Sequence, residues 1–357
     1  MIPIAKPLLG TEEKNAVAAV LESGALSSGK VVGEFEKQLA QKQGFSQAIA
    51  MCNGTVALHA ALLTAGVKAG SEVATPDFSF IASATSSMFI GAQPGFCDVR
   101  QDTFNVDVAS LQKVISPKTS AIMPVSLYGL PYDVEGVLEV ARQKSLPVIS
   151  DNCQAIGAKH NGKTNFGEGM AVLSFYPTKN ITTSEGGAVL TDNEEYAAKL
   201  RLLRNQGMKS RYEYDVVGFN YRMTNICAAI GLEQLKKLDA FTNARRKNAK
   251  MLDELLSGVE QIETPIEPDG YTHVYHQYTI KAQRRDGLQE HLEKNGVASV
   301  VYYPQALHEI KTLAGCRNVG CANALDLSRK VLSLPVHPSL TEEDVQAVAS
   351  AVKSFYK

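Results

Sequence analysis

The stretch Ser174-Phe-Tyr-Pro-Thr-Lys-Asn-Ile-Thr-Thr-Ser-Glu-Gly-Gly187 surrounds one lysine, Lys179, with hydroxyls and glycines in place of the acidic partners a surface lysine usually keeps. Free lysine has a pKa of about 10.4, so holding it neutral at pH 7 costs about 4.6 kcal/mol unless burial or a covalent Schiff base offsets it. A bound aldehyde supplies such a bond. A lysine capping a turn is the ordinary alternative, since structural lysines far outnumber catalytic ones. The neighbouring segments decide between the two.

Outward from this stretch, short β-branched runs alternate with longer runs of helical period, the pattern of a mostly parallel sheet with helices on both faces. Strands are expected at Ala48–Met51, Val73–Thr75, Gly95–Val99, Ala121–Val125, Val148–Ser150, Ala171–Phe175 and Ala188–Leu190. Helices are expected after Asn53 through Leu58 and Leu62, and over Ala82–Ile90, Val108–Ile115 and Val134–Lys144. One long helix, about Asn225 to Leu256, ends before Gly258 and the Pro265–Gly270 segment. The domain boundary is placed there: residues 1–257 form a large α/β domain and 258–357 a small α+β domain. The small domain is expected to hold strands at Tyr275–Ile280 and Ser299–Val301, a helix at Arg285–Lys294 and a final helix from Glu342.

The 357 residues are 45% hydrophobic and 20% charged, with a net charge of -1. That balance gives no reason to expect attraction to nucleic acid or to a membrane surface. Neither a leader-like start nor an apolar run of membrane length is present, so a cytoplasmic protein is expected. The six cysteines are scattered without paired CxxC spacing, which favours free thiols over disulfides or a metal site.

Three further constellations bear on Lys179. In Cys52-Asn-Gly-Thr-Val-Ala-Leu-His59 a strand ends, Gly54 allows close backbone approach, and Thr55 opens a helix whose free N–H groups and dipole suit a phosphate; a plain turn and N-cap is the alternative. In Val148-Ile-Ser-Asp-Asn-Cys-Gln-Ala155, Asp151 lies just past a strand, where ligands bind in open α/β sheets; it either caps the next helix or pairs with a cationic ring nitrogen. In Pro76-Asp-Phe-Ser-Phe-Ile-Ala-Ser83 an aromatic ring follows a strand end, able to stack on a planar cofactor or to pack in the core. Phosphate cradle, acid, aromatic platform and amine together are the parts pyridoxal phosphate requires.

Taken in order, Ile2–Pro7, Leu26–Gly29, Asn53–His59, Ala121–Val125, Asp151 with Gln154, Ser174–Gly187, Val217–Ile226 and Ala228–Gly231 resemble the DegT/DnrJ/EryC1/StrS family of sugar aminotransferases. The resemblance implies the aspartate aminotransferase type of fold (fold type I) and pyridoxal 5'-phosphate as cofactor. It implies that Lys179 carries the cofactor as a Schiff base and that Asp151 pairs with the ring nitrogen. Gln154 would lie beside the ring, Gly54, Thr55 and Ser174 would hold the phosphate, and Phe80 would stack, with Phe78 as the fallback. Asn220 resembles a residue that reaches the phosphate from the other subunit of a homodimer.

Gly218–Asn225 and Tyr275–Thr279 look most like the branch containing perosamine synthase and related 4-aminotransferases. The implied substrates are an amino-acid donor, L-glutamate by resemblance, and a nucleotide-linked keto-sugar, with Ser27, Lys30, Arg222 and His308 as candidate substrate contacts. A 3-keto-sugar, a cyclitol of the scyllo-inosose type, and a cofactor-free regulatory or scaffold role are the alternatives. The chain departs from the family pattern at Cys52, Ser150, Cys153 and Ser184; Ser184 stands where glycine is usual and could alter the backbone near Lys179.

Overall fold

The computed structural model describes residues 1–167 and 169–357. Five strands in order, β1 (Gln47–Met51), β2 (Glu72–Pro76), β3 (Gln93–Cys97), β4 (Thr119–Ile122) and β5 (Ile149–Asp151), lead to two more at Met170–Ser174 and Gly187–Thr191. One half of the sheet runs β1, Gly187–Thr191, Met170–Ser174, β5, and the other runs β4, β2, β3, Arg317–Asn318. Parallel bridges from Ile122 to Val148 and from Val125 to Asp151 join the halves into one sheet. Only Gly187–Thr191 is antiparallel to its neighbours, so the sheet is mostly parallel, as the alternating pattern requires.

The strands are buried on both faces because helices cover both. Helix α1 (Thr11–Ser23) lies on the long helix, α2 (Lys30–Gln43) puts Phe35 and Leu39 against Ala48, Leu173 and Leu190, and α3 (Gly54–Thr64) fills the opposite face with Leu58 and Leu62. Most residues of α3 are buried, as expected of a helix apolar on nearly all sides. A fourth helix, α4 (Ala82–Met88), follows β2.

The long helix Asn225–Leu256 starts at Thr224, whose hydroxyl accepts from the Cys227 N–H. Leu235 and Leu238 pack on the large sheet, whereas Ala249, Leu252 and Leu256 join a second core with Tyr278, Leu332, Leu334, Val345 and Val348. That core covers an antiparallel sheet of Ile262–Glu263, Tyr278–Ala282 and Val331–Leu334. Leu307, Leu313 and Leu327 instead pack against Phe78, Phe96 and Val125 beside the large sheet.

The expected helices Val134–Lys144, Asn225–Leu256 and Arg285–Lys294 have those bounds, and the final helix runs Glu342–Tyr356. Two expectations are corrected. The strand expected at Tyr275–Ile280 begins only at Tyr278, because Tyr275 takes a positive φ of 43° and the Gln277 N–H bonds the Tyr128 carbonyl instead of a sheet neighbour. Ser299–Val301 forms no strand; a bridge from Val300 to Ser333 is what remains of it. All six cysteines are free, and no helix among the described residues is long and apolar enough to cross a membrane.

Candidate active site

Asp151 ends β5, with its N–H bonded to the Pro124 carbonyl at 2.9 Å and its own carbonyl accepting from Ser126 N–H at 3.0 Å. Its buried carboxylate accepts from Ser83 Oγ at 2.8 Å and from the Cys153 N–H at 3.2 Å. A carboxylate has about four acceptor directions, so these two donors orient it and leave capacity for a third. Ser83 lies on α4 and is itself bonded to Ser79 Oγ at 2.8 Å.

Lys179 follows the Met170–Ser174 strand in a turn closed by its N–H to the Tyr176 carbonyl at 2.9 Å. Its amine forms no ion pair or side-chain hydrogen bond among the described residues. Burial lowers its pKa below the usual lysine value, opposed by Cys153 and Asp151 nearby. The Cys153 thiol is pushed well up by burial, with Asp151 adding to the rise, so it stays protonated beside the amine.

The start of α3 closes the other side. Asn53 caps it, accepting from Val56 N–H at 3.0 Å, while the N–H groups of Gly54 and Thr55 and the hydroxyls of Thr55 and Ser174 stay unspent. A Cβ on Gly54 would stand 3.0 Å from Ser174 Cβ and 3.2 Å from Cys153 Sγ, so only glycine lets the helix start this close to the strand end. Gly187 is under the same constraint, since a Cβ there would meet the Asn53 carbonyl carbon and oxygen at 2.5 Å.

The aromatic wall separates the two phenylalanines. Phe78 is 0% exposed and belongs to the core, while Phe80 is 51% exposed and lies 6.1 Å from the Tyr303 ring, tilted by 42°. Phe80 therefore offers a free face and Phe78 does not. Gln154 is held at both ends of its amide: Oε1 accepts from Tyr128 N–H at 2.8 Å and Nε2 donates to Tyr303 Oη at 3.0 Å.

Free helix N–H groups, a cradle that a methyl would fill, a partly buried amine with no ion pair among the described residues, an oriented carboxylate and an exposed ring fit pyridoxal phosphate. Gly54, Thr55 and Ser174 could hold the phosphate, Asp151 the ring nitrogen, Lys179 the carbonyl carbon and Phe80 a ring face.

The remaining sequence candidates lie around this centre. Arg222 bridges Met51 in backbone pairing and donates to Asn205 Oδ1 at 2.8 Å, which sets the 218–222 run beside Cys52. Asn220 is exposed and makes no hydrogen bond to Gly54, Thr55 or Ser174 within the chain. Ser27 and Lys30 are exposed on a turn clipped to Asn225, whose side chain donates to the Ala25 carbonyl at 2.7 Å and accepts from Val32 N–H at 3.2 Å. His308 is clamped to buried Asp77: its N–H donates to Oδ1 at 2.9 Å and its Nδ1 contacts Oδ2. Burial raises the Asp77 pKa to about 6 against the lowering effect of His308.

Sequence reasoning missed Ser83, Tyr303 and Asp77 as parts of this site. Tyr303 and His308 share one segment, 302–308, and the Tyr-Tyr-Pro run there was the available signal.

Ser184 takes a left-handed backbone, φ 73°, with its N–H bonded to Thr182 Oγ1 at 3.0 Å. The serine thus keeps the conformation that glycine would adopt freely, and the concern that it alters the backbone has a definite form: strain of about 1 kcal/mol. Ser184→Gly is expected to raise the melting temperature by about 1–2 °C in a thermal scan, with kcat unchanged. A lower melting temperature would show that the serine is not strained.

The sequence matches the DegT/DnrJ/EryC1/StrS aminotransferase family over residues 7–353. Among curated relatives it is 40% identical to a "Pleiotropic regulatory protein" of Geobacillus stearothermophilus, over 96% of this chain and 95% of the relative. It is 39% identical to the GDP-perosamine synthase of Caulobacter vibrioides (98% and 97%). It is 36% identical to a UDP-N-acetyl-3-dehydro-alpha-D-glucosamine 3-aminotransferase of Acidithiobacillus ferrooxidans (97% and 94%). Among solved structures, S. venezuelae DesV in complex with a ketimine intermediate superposes with a TM-score of 0.94 at 33% identity, covering 97% of this chain and 94% of that one.

Proposed function

The chain belongs to the DegT/DnrJ/EryC1/StrS aminotransferase family, and from that premise we propose that it carries an amino group from L-glutamate to a nucleotide-linked 4-keto-6-deoxy sugar. It is an aminotransferase of the aspartate aminotransferase fold type, with pyridoxal 5'-phosphate as cofactor. The observation that carries the proposal is the Lys179 amine, partly buried and without an ion pair or side-chain hydrogen bond among the described residues, beside a carboxylate already oriented by Ser83.

When bound, the cofactor supplies the carbonyl that takes the amino group and the ring that withdraws electrons from the reacting carbon. This chain's residues do the rest. The Asp151 carboxylate, fixed by Ser83 and the Cys153 N–H, would accept a hydrogen bond from the protonated ring nitrogen and keep that nitrogen charged. The Lys179 amine, eased toward neutrality by burial, would move a proton off the donor's amine-bearing carbon onto the cofactor in the first half-reaction, and off the cofactor onto the sugar carbon in the second. Gly54, Thr55 and Ser174 anchor the phosphate end, so that the reacting carbon stays within reach of Lys179.

We place substrate contacts at Ser27, Lys30, Arg222 and His308 and cofactor contacts at Phe80 and Gln154. Asn220 is assigned to the neighbouring site of a homodimer, where its exposed side chain is available. We assign residues 1–257 to the cofactor-binding domain and 258–357 to the small domain, with the segment from Leu307 to Leu327 reaching back onto the large sheet, and we place the enzyme in the cytoplasm. The 4-keto choice is supported by the Gly218–Asn225 run and by the 39% identity to a GDP-perosamine synthase. The 36% identity to a 3-aminotransferase keeps a 3-keto-sugar as the second reading.

Purified holoenzyme incubated with L-glutamate and a panel of nucleotide 4-keto sugars, nucleotide 3-keto sugars and scyllo-inosose is expected to aminate the 4-keto sugars, as read by product mass. Amination confined to a 3-keto sugar or to the cyclitol would overturn the substrate assignment. No amination of any acceptor would favour a regulatory role.

A further inference from the structure

Asp77 is the first residue beyond β2 and is 0% exposed. A carboxylate buried this completely needs donors around it, and one turn supplies them. The Leu307 N–H donates to the Asp77 carbonyl at 2.8 Å, the His308 N–H donates to Oδ1 at 2.9 Å, and His308 Nδ1 contacts Oδ2. His308 is the only ion-pair partner of this carboxylate among the described residues. The thiols of Cys97 and Cys321 lie near it, and burial pushes both upward, so they stay protonated.

These bonds decide how the imidazole is used. Oδ1 is spent on a backbone N–H, so Oδ2 faces Nδ1, and above a pKa of about 6 the carboxylate can only accept. In the neutral ring the hydrogen therefore sits on Nδ1 and the lone pair on Nε2. Nε2 lies across the ring from the buried acid and makes no hydrogen bond among the described residues, on a side chain that is 21% exposed. The two segments that carry the pair also wall the site. Beyond Asp77 the chain runs through Phe80 to Ser83, which holds Asp151. Before His308 it passes Tyr303, which accepts from Gln154 and whose ring stands 6.1 Å from Phe80.

We propose that Asp77 is a positioning residue: it holds His308 with the Nε2 lone pair outward, where it accepts a hydrogen bond from a hydroxyl of the acceptor's hexose ring. The proposal rests on the sugar aminotransferase reading above. Hydrogen-bond chemistry separates the two substrates at this atom. A glutamate carboxylate brings only lone pairs, so against Nε2 both groups would be left without a hydrogen, whereas a hexose hydroxyl supplies one. The glutamate amine is the reacting group and is committed to the cofactor. The pair therefore serves the sugar half of the reaction and not the donor half.

The absorbance of the bound cofactor follows the donor half when L-glutamate is added, and the acceptor half when keto-sugar is added to enzyme loaded with pyridoxamine phosphate. His308→Asn is the informative variant, because its amide can still donate to Asp77 but has nothing at the place of Nε2. It is expected to raise the keto-sugar concentration for half-saturation by about 5- to 10-fold, with the saturated rate and the donor half within about threefold of wild type. His308→Ala is expected to match it. In Asp77→Asn, Oδ1 must still accept from the His308 N–H, so the new NH₂ meets Nδ1 and the ring hydrogen moves to Nε2. That variant is expected to weaken the acceptor half alone by about threefold or more, and its loss should vanish in the His308→Asn background. Calorimetry on the holoenzyme with a nucleotide-linked 6-deoxyhexose, which has no ketone to react, is expected to show the His308→Asn weakening without turnover. A nucleoside diphosphate alone is expected to bind wild type and His308→Asn alike. If Asp77→Asn does not fold, the two His308 variants and the calorimetry decide the matter. Wild-type saturation in His308→Asn, equal losses in both halves, or losses that add in the double variant would reduce the pair to a structural latch and overturn the proposal. Weaker nucleoside diphosphate binding by His308→Asn would overturn the hexose assignment. Keto-sugar amination by wild type with unchanged variants sinks this proposal alone. A wild-type holoenzyme that aminates no nucleotide-linked sugar sinks it together with the proposed function.

Discussion

Lys179→Ala is expected to lower transamination by at least about 10⁴-fold, because one substitution removes both the group we propose bonds the cofactor and the proposed base that moves the proton. General acid–base catalysis alone accounts for about 10²–10⁴-fold. The amine is only partly buried and has no ion pair to lose among the described residues, and Asp151 keeps its hydrogen bonds from Ser83 and the Cys153 N–H, so the alanine variant should fold. Retained phosphate-end contacts at Gly54, Thr55 and Ser174 should let it still bind the cofactor non-covalently. The check is kcat/KM for glutamate and keto-sugar together with the cofactor retained on gel filtration. Partial recovery of turnover on adding a small primary amine would locate the loss in proton transfer, whereas turnover within threefold of wild type would remove Lys179 from the chemistry.

Asp151→Asn is the second large effect. The amide keeps the shape of the carboxylate but carries no charge to hold a proton on the ring nitrogen, and kcat should fall by about 10²–10⁴-fold. Ser83 Oγ can reverse its hydrogen bond and accept from the new NH₂, and the Cys153 N–H can keep the remaining oxygen, so the fold should survive. Melting temperature within about 2 °C of wild type with kcat depressed is the expected pair of results. A large fall in melting temperature with kcat per folded molecule unchanged would make Asp151 a structural residue that ties β4, β5 and α4 together.

The sequence signals behind these two assignments are local. Lys179 lacks acidic neighbours in sequence, and Asp151 ends an apolar run, so strand-end chemistry could be read from a few residues. The long helix was legible for the same reason, its apolar positions recurring at helical spacing until a glycine stops them. Helix α1 was not: only Glu13 and Val20 are buried along it, so it has almost no stripe to detect and is held by the long helix instead. Ala322–Lys330 passes directly into the strand Val331–Leu334 with no breaker between them, which hides both boundaries.

The site's supporting groups were hidden for a different reason. Ser83 meets Asp151 across 68 residues of sequence and Tyr303 meets Gln154 across 149, contacts that only the sheet order creates.

Lys179 is proposed as the residue that bonds the cofactor. Treating the holoenzyme with sodium borohydride, digesting it and mapping the added mass by tandem mass spectrometry tests this most directly. The predicted result is one reduced cofactor per chain, located on Lys179 in the peptide spanning Ser174–Gly187. Cofactor recovered free, or attached to any other lysine, would contradict it.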